Sequence, residues 1–198
     1  MTVGPNRADQ PGGLRTADPV ARRCHDVRDD RRRRGWQTHV MTDWRIEVDD
    51  LTGEPIRELL RRHAAGMLEN SPPGTCHFFD VDALRHPTVT FWSIRDGDDL
   101  AGCGAVREID ATHGEIKSMR TADDHLGRGV GRVMLRHILT EARRRGYRRL
   151  SLETGSSDGF GAARHLYESE GFEPCGAFDT YADDSVDTSA SLFYTRAI

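Results

Sequence analysis

The apolar pattern predicts an α/β fold with a mixed, mostly antiparallel central sheet and helices on both faces. Two observations lead there: short runs of period 2 alternate with longer runs of period 3.6, and their order is strand, helix, a meander of strands, then helix–strand–helix–strand–strand. Trp44–Val48 alternates like a first strand. Residues 55–68 read as a helix opened by Pro55, with Ile56, Leu59, Leu60, His63 and Met67 on one face. Ser71, Pro72, Pro73 and Gly74 break it, and Val81–Leu84 reads as one further helical turn. Residues 88–94 form a strand, 96–99 a tight turn, and 100–109 the hairpin partner, thinned by Gly102 and Gly104. A second turn over 111–114 leads into a third central strand, 115–121. Residues 129–145 are helical, with Val130, Val133, Met134, His137, Ile138 and Ala142 on one side. Gly146 then stands where a helix C-terminus favours glycine. Residues 148–153 are a short strand, and 161–170 an amphipathic helix stopped by Gly171. Residues 172–178 and Ser191–Ala197 close the fold as two antiparallel strands.

Composition bounds the function. The chain has 198 residues, with 28 Lys plus Arg against 32 Asp plus Glu and a formal net charge of -4. That length suits one domain of ordinary size plus a tail. No run approaches the ~18 apolar residues of a spanning helix, so no membrane partner is expected. The amino terminus lacks the short apolar stretch of a secretory signal. Cys24, Cys76, Cys103 and Cys175 form no CxxC pair and no Cys/His ligand spacing. Neither a disulfide framework nor a metal site is therefore expected, and the reducing cytoplasm is the default location.

Charge is unevenly spread. Residues 1–40 carry nine Arg against five Asp and few large apolar side chains. Such a segment cannot offset the entropy of ordering itself and reads as a disordered, Arg-rich extension. Met41, where the patterned sequence begins, is an alternative translation start, with residues 41–198 as the domain. The body is acidic, which argues against nucleic acid as a partner despite Arg31, Arg32, Arg33 and Arg34. A homodimer is left open. Only Lys117 among the basic residues is a lysine.

The most informative segment is Leu126-Gly127-Arg128-Gly129-Val130-Gly131-Arg132, between a strand and a long helix. Closely spaced glycines let backbone approach an anion, and the helix start aims unpaired N–H groups and a positive dipole end at it. A phosphate or pyrophosphate is the expected ligand. The spacing is neither GxxxxGK[ST] nor GxGxxG, so nucleotide-binding motifs of those kinds fit poorly.

The stretch from Gly114 to Thr121, then Gly127-Arg128-Gly129-Val130-Gly131, then Leu166-Tyr167-Glu168 with Gly171-Phe172, resembles the GNAT N-acetyltransferase superfamily. That family's acyl-coenzyme-A loop reads (Gln/Arg)-x-x-Gly-x-(Gly/Ala), and a later helix carries Leu-Tyr-Glu-x-x-Gly-Phe. The resemblance covers roughly residues 44–198. It implies acetyl-CoA as donor, no metal, and a pyrophosphate held on the backbone of residues 127–132. Leu126 takes the place of the family's Gln or Arg, so Arg128 and Arg132 are the candidates for positive charge. The backbone N–H groups of Met119, Arg120 and Thr121 are implied to polarise the thioester carbonyl. Strand amides that face a ligand leave the ladder, so the fourth strand is expected to splay from the fifth at 151–154.

The resemblance also assigns the proton transfers. Tyr167 matches the residue that protonates the departing thiolate, though taken alone it fits a core aromatic beside Leu166 equally well. Glu115 matches a glutamate base found in some members, with Glu153 on the neighbouring strand as its rival. The acceptor, a primary amine of a small molecule or peptide, is implied to lie against residues 60–82 and 176–190. These include Cys76, His77, Phe78, Phe79 and Asp80. With Asp82, Asp179, Asp183 and Asp184 that side is acidic, which suits a cationic amine. A non-catalytic acyl-CoA-binding regulatory module is the alternative, motivated by Leu126. The nine histidines read as satisfied or solvated, and Cys103 as a small buried hydrophobe.

Overall fold

Two tight turns build the centre of the sheet. In the computed structural model, which describes residues 44–77 and 80–198, β2 (Val89–Asp96) and β3 (Asp99–Asp110) meet through Gly97 and Asp98. Gly97 has φ 61, the left-handed conformation such a turn requires. β3 passes to β4 (His113–Thr121) through Ala111 and Thr112. There Asp110 Oδ1 accepts from the Thr112 N–H at 2.7 Å and its hydroxyl at 2.9 Å. The expectations for residues 1–40, the start at Met41, and Phe78 and Phe79 lie outside the described residues.

β1 (Trp44–Val48) adds antiparallel to β2, and β5 (Arg149–Gly155) runs parallel to β4. β7 (Ser191–Ala197) returns antiparallel to β5 and carries β6 (Glu173–Cys175) on its outer side. Among the described residues the seven-stranded order is β1-β2-β3-β4-β5-β7-β6, with β4–β5 the one parallel pair. The strand expected over 172–178 shortens to three residues. Pro174 has no N–H for a ladder and is tolerated on this edge strand, after which Gly176 releases the chain.

Among the described residues four helices cover the two faces. α1 (Glu54–Glu69) and the single turn α2 (Val81–Leu84) bury Ile56, Leu59, Leu60 and Leu84 against Phe91, Cys103 and Ala105. α3 (Val130–Arg144) buries Val130, Met134, Leu135, Ile138, Leu139 and Ala142 against Ile94, Val106, Ile116 and Leu150. Its stripe is centred further round than expected: Leu135 and Leu139 are inside, while Val133 and His137 are only half-buried. Gly146 ends it at φ 83, and Tyr147 N–H reaches back to the Ala142 carbonyl at 3.0 Å. α4 (Gly161–Ser169) adds Tyr167 to the same face. Among the described residues no helix is long and apolar enough to cross a membrane.

Gly102 marks where β4 and α3 crowd β3. A Cβ there would lie 2.6 Å from the Arg120 carbonyl oxygen and 3.0 Å from Val130 Cγ1. The first is backbone and cannot swing aside. Gly102→Ala is expected to cost about 2 kcal/mol through overpacking. Urea unfolding would show this as a lower midpoint at unchanged slope, and an unaltered midpoint would mean that the β3–β4 ladder yields there.

Candidate active site

The fourth and fifth strands part as expected. β4 and β5 pair from His113 with Arg149 to Ile116 with Leu152, and the ladder stops there. A bulge lies just beyond. On β3, Cys103 pairs with Arg120 and Ala105 with Lys117, so Gly104 alone faces both Ser118 and Met119. Ser118 sits at φ 53, a conformation that side-chain-bearing residues seldom adopt. The Cys103 thiol donates to the Ser118 carbonyl at 3.3 Å. Burial pushes that thiol up to about 12, which leaves it an inert packing group.

A cavity of about 380 Å³ opens between the parted strands. Met119, Arg120 and Thr121 form one wall, Glu153 and Thr154 the other. The α4 residues Ala163, Leu166 and Tyr167 and the α1 residues His63, Gly66 and Met67 complete it. Asn70 at the end of α1 closes one side, its carbonyl accepting from Ser157 Oγ at 2.8 Å. Along Lys117–Thr121 the β4 edge turned toward β5 has no strand partner, so backbone groups are available to a ligand in the slot.

The glycine loop borders this slot. A one-turn 3₁₀ helix at Asp123–His125 leads to Leu126, then Gly127 and Gly129 at φ 73 and 86, and α3 begins at Val130. Cβ atoms at either glycine would meet nothing within 4 Å, so the loop surface is open. The opening turn of an α-helix has no intrahelical acceptors for its N–H groups. In α3 those groups belong to Val130, Gly131 and Arg132, and no side chain caps them. Leu126 and Gly131 line the cavity, and Leu126 is 62 % exposed. An anionic, elongated ligand fits this surface.

The two arginines expected to add charge are engaged elsewhere. Arg128 Nη2 lies 2.6 Å from Asp96 Oδ2, and its guanidinium stacks on the Trp44 ring at 5.2 Å. Arg132 lies 3.5 Å from Glu170 and donates to Ser169 Oγ at 3.2 Å. Arg128 thus anchors the loop to the β2 end rather than crowning it.

The two candidate carboxylates occupy different environments. Glu115 is fully buried and is not among the residues lining the cavity. Its oxygens lie 2.7 Å from Arg107 and 3.2 Å from Lys117, committed to two cations and facing no substrate space. Glu153 lines the cavity and accepts from Ser191 Oγ at 2.6 Å. Burial raises its carboxyl above the usual range, and Lys117 and His77 partly oppose that. Tyr167 is buried, lines the same cavity, and packs edge-on against Phe172. Burial first, and then the charge of Glu153, hold its phenol well above the ordinary value.

None of the five acids expected near the acceptor lines the cavity. Asp80 caps α2 by accepting from Ala83 N–H at 2.8 Å, and Asp179 pairs with Arg107. Asp82, Asp183 and Asp184 are exposed. The cavity is lined instead by His63, Met67, Asn70, His77, Lys117 and Arg120, among others. Sequence reasoning reads His63 and Met67 as core positions of α1, because cavity-facing and core-facing residues share one helical face. Burial, and the nearby Arg120 charge, push His63 down to about 4, so its imidazole is neutral at ordinary pH.

Residues 54–172 match the Acetyltransferase (GNAT) family. The chain is 52 % identical over 153 residues to the uncharacterized N-acetyltransferase YsnE of Bacillus subtilis (strain 168), covering 77 % of this chain and 99 % of that one. It is 50 % identical over 139 residues to the uncharacterized N-acetyltransferase YedL of Escherichia coli (strain K12), covering 70 % and 87 %. The solved structure of a GNAT family acetyltransferase from Elizabethkingia anophelis, with acetyl-CoA bound, shares the fold. Its TM-score is 0.57 at 16 % identity, covering 78 % of this chain and 98 % of that one. The split sheet, the glycine loop at a helix start and the relatives agree: this chain belongs to the GNAT acetyltransferase family.

Proposed function

We propose that the protein transfers an acetyl group from acetyl-CoA to a primary amine of a small molecule or peptide, by direct attack with both substrates bound. The observation that carries this reading is the slot between β4 and β5, with the uncapped start of α3 at one border and Glu153 and Tyr167 in its lining. The donor supplies a thioester, already activated toward amines. The first-turn N–H groups of α3 would hold the pyrophosphate, with Gly127 and Gly129 keeping side chains out of its way. Backbone N–H groups of Met119, Arg120 and Thr121 would bond the thioester carbonyl oxygen as charge develops there. Holding amine and carbonyl side by side contributes on the order of 7–11 kcal/mol in favourable cases.

Glu153 takes the proton that the acceptor ammonium must lose before it can attack. The new C–N bond forms, the C–S bond breaks, and the departing thiolate takes the proton of Tyr167; the second proton that the attacking nitrogen must shed returns to Tyr167, and Glu153 gives the first to solvent. A buried carboxyl whose proton affinity is raised is a better base near neutrality than an ordinary one. Tyr167, held protonated by burial, keeps its proton until a strong base forms beside it. Glu115 has a different part: it fixes Lys117 and Arg107 within the sheet.

Three outcomes follow from these roles. Tyr167→Phe should lower kcat by roughly a hundredfold while leaving the KM for acetyl-CoA near that of the parent. This is read as free thiol release over a panel of amines, amino acids, polyamines and peptides; full activity would return Tyr167 to a packing role. kcat/KM for the parent should fall as pH drops through the raised carboxyl value, because protonation removes the base. Glu153→Gln should abolish that acid limb. Glu115→Gln should keep the limb yet lose about 3 kcal/mol of stability, because two buried cations are left short of a partner. The reverse assignment of the limb would make Glu115 the base. Finally, Leu126→Arg should tighten acetyl-CoA about fivefold in calorimetry by adding one charge-assisted hydrogen bond; an unchanged Kd would mean that the backbone cradle alone sets affinity.

A further inference from the structure

Glu153 is held by one of its two oxygens. Oε1 accepts from the Ser191 hydroxyl at 2.6 Å, within the range of a hydroxyl bonded to an ionised carboxylate. Among the described residues Oε2 accepts no hydrogen bond, and it is not one of the buried unpartnered side-chain atoms. Glu153 lines the cavity, so Oε2 is the oxygen that keeps contact with the slot. Ser191 is not in that lining, and the single proton of its hydroxyl goes to Glu153.

The place of that hydroxyl is set by backbone. Ser191 opens β7 opposite Gly155, with Glu153 further along β5 opposite Phe193. The Ser191 N–H donates to the Thr188 carbonyl at 2.9 Å, and the Ala190 carbonyl accepts from the Ser156 N–H at 2.9 Å. These bonds fix the chain at Ser191 whether or not Glu153 is there to accept. The charged and titratable groups that face Glu153 come from other elements: Lys117 and Glu115 of β4, His77 after α1, Tyr181 of the turn at Asp179–Ala182, and Tyr167 of α4. Lys117 donates to Glu115 at 3.2 Å and to the Tyr181 hydroxyl at 2.6 Å, and His77 bonds the Asp187 carbonyl at 2.8 Å. Their influence on Glu153 acts through space, whereas Ser191 bonds it directly.

We propose that Ser191 is the positioning residue of the base: its hydroxyl pins Oε1 of Glu153 against β7 and so presents Oε2 to the acceptor ammonium. This rests on Glu153 being the base; the contact itself rests on Ser191 alone. A hydrogen bond donated to the ionised carboxylate favours that form and opposes the effect of burial. Without the hydroxyl, Glu153 keeps its proton to higher pH and loses a restraint on its orientation.

The test compares Ser191→Thr, which keeps the hydroxyl, with Ser191→Val, which has the same shape without it; both residues suit a strand. The Glu153 carboxyl is titrated by 13C NMR in the full chain saturated with coenzyme A, its signal identified by its loss in Glu153→Gln. In parallel, kcat/KM is followed against pH with an amine that turns over. In Ser191→Val the signal and the acid limb should both move up by about one pH unit, the scale of a hydrogen bond to a charged group. On that limb kcat/KM then falls roughly tenfold at fixed pH. Ser191→Thr should stay within about 0.3 unit of the parent in both measurements, and the KM for acetyl-CoA should not change in either variant. A Glu153 signal that titrates alike in the Thr and Val variants would overturn the proposal, as would a limb that moves while the signal stays. A signal that moves without the limb would uphold the Ser191 contact and overturn the assignment of Glu153 as base. With no turnover on any amine, the signal alone decides the contact and the acetyl-transfer reading falls. If Ser191→Val fails to fold, Ser191→Ala takes its place in the same comparison.

Discussion

The end of the β4–β5 ladder at Ile116 and Leu152 is the constraint on which the rest of the site depends. If those strands stayed paired, the backbone of residues 117–121 would be consumed by β5 and no slot would exist. The bulge at Ser118 and Met119 keeps them apart, since a bulge bends its strand and increases local twist. It holds a non-glycine residue in the left-handed region, a strained state that persists only when its surroundings over-determine it. The Cys103 thiol on the Ser118 carbonyl, and the resumed pairing of Gly102 with Thr121, supply that determination. The crowding at Gly102 follows from the same feature: the resumed ladder presses β4 against β3 while α3 closes from the other side.

A second structure ties the sheet to the turn at Asp179–Ala182. Arg107, Glu115, Lys117, Asp179 and Tyr181 form one connected chain of ion pairs and hydrogen bonds across β3, β4 and the turn at Asp179–Ala182. Lone charges at these depths would be strongly destabilising, and breaking such a pair leaves an uncompensated ion. Tyr181 is further held by the rings of His77, Phe178 and Phe193. His77 in turn bonds the Asp187 carbonyl at 2.8 Å. The loop between β6 and β7 is thereby fastened at several points.

Much of this was legible in the residues, and the gaps have identifiable causes. Periodicity finds α1, α3, β2 and β7 from their apolar faces, and the glycine loop stands out by its spacing, whereas Tyr167 is singled out only by the resemblance to the family's Leu-Tyr-Glu motif. The bulge is invisible to a period-2 reading, although Ile116 and Met119 hint at it: three residues apart in one strand, they both meet the α3 core. Choosing between Glu115 and Glu153 depends on which face of which strand meets the slot, and that follows from the bulge and not from composition. The acidic acceptor side misleads for a related reason. Asp80 and Asp179 are acidic because a helix cap and a buried arginine need them, and one-dimensional counting cannot separate those uses from substrate binding.

The two borders of the slot are built in opposite ways. The border at the glycine loop is backbone: uncapped N–H groups of α3, two left-handed glycines, and an arginine turned away to Asp96 and Trp44. Arg128, held on Asp96 and Trp44, fixes the loop's path, while Leu126 at its head stays exposed. Elsewhere the lining is made of individual side chains from α1, β4 and β5, so substitutions there change the walls of the slot while the loop keeps its own anchor.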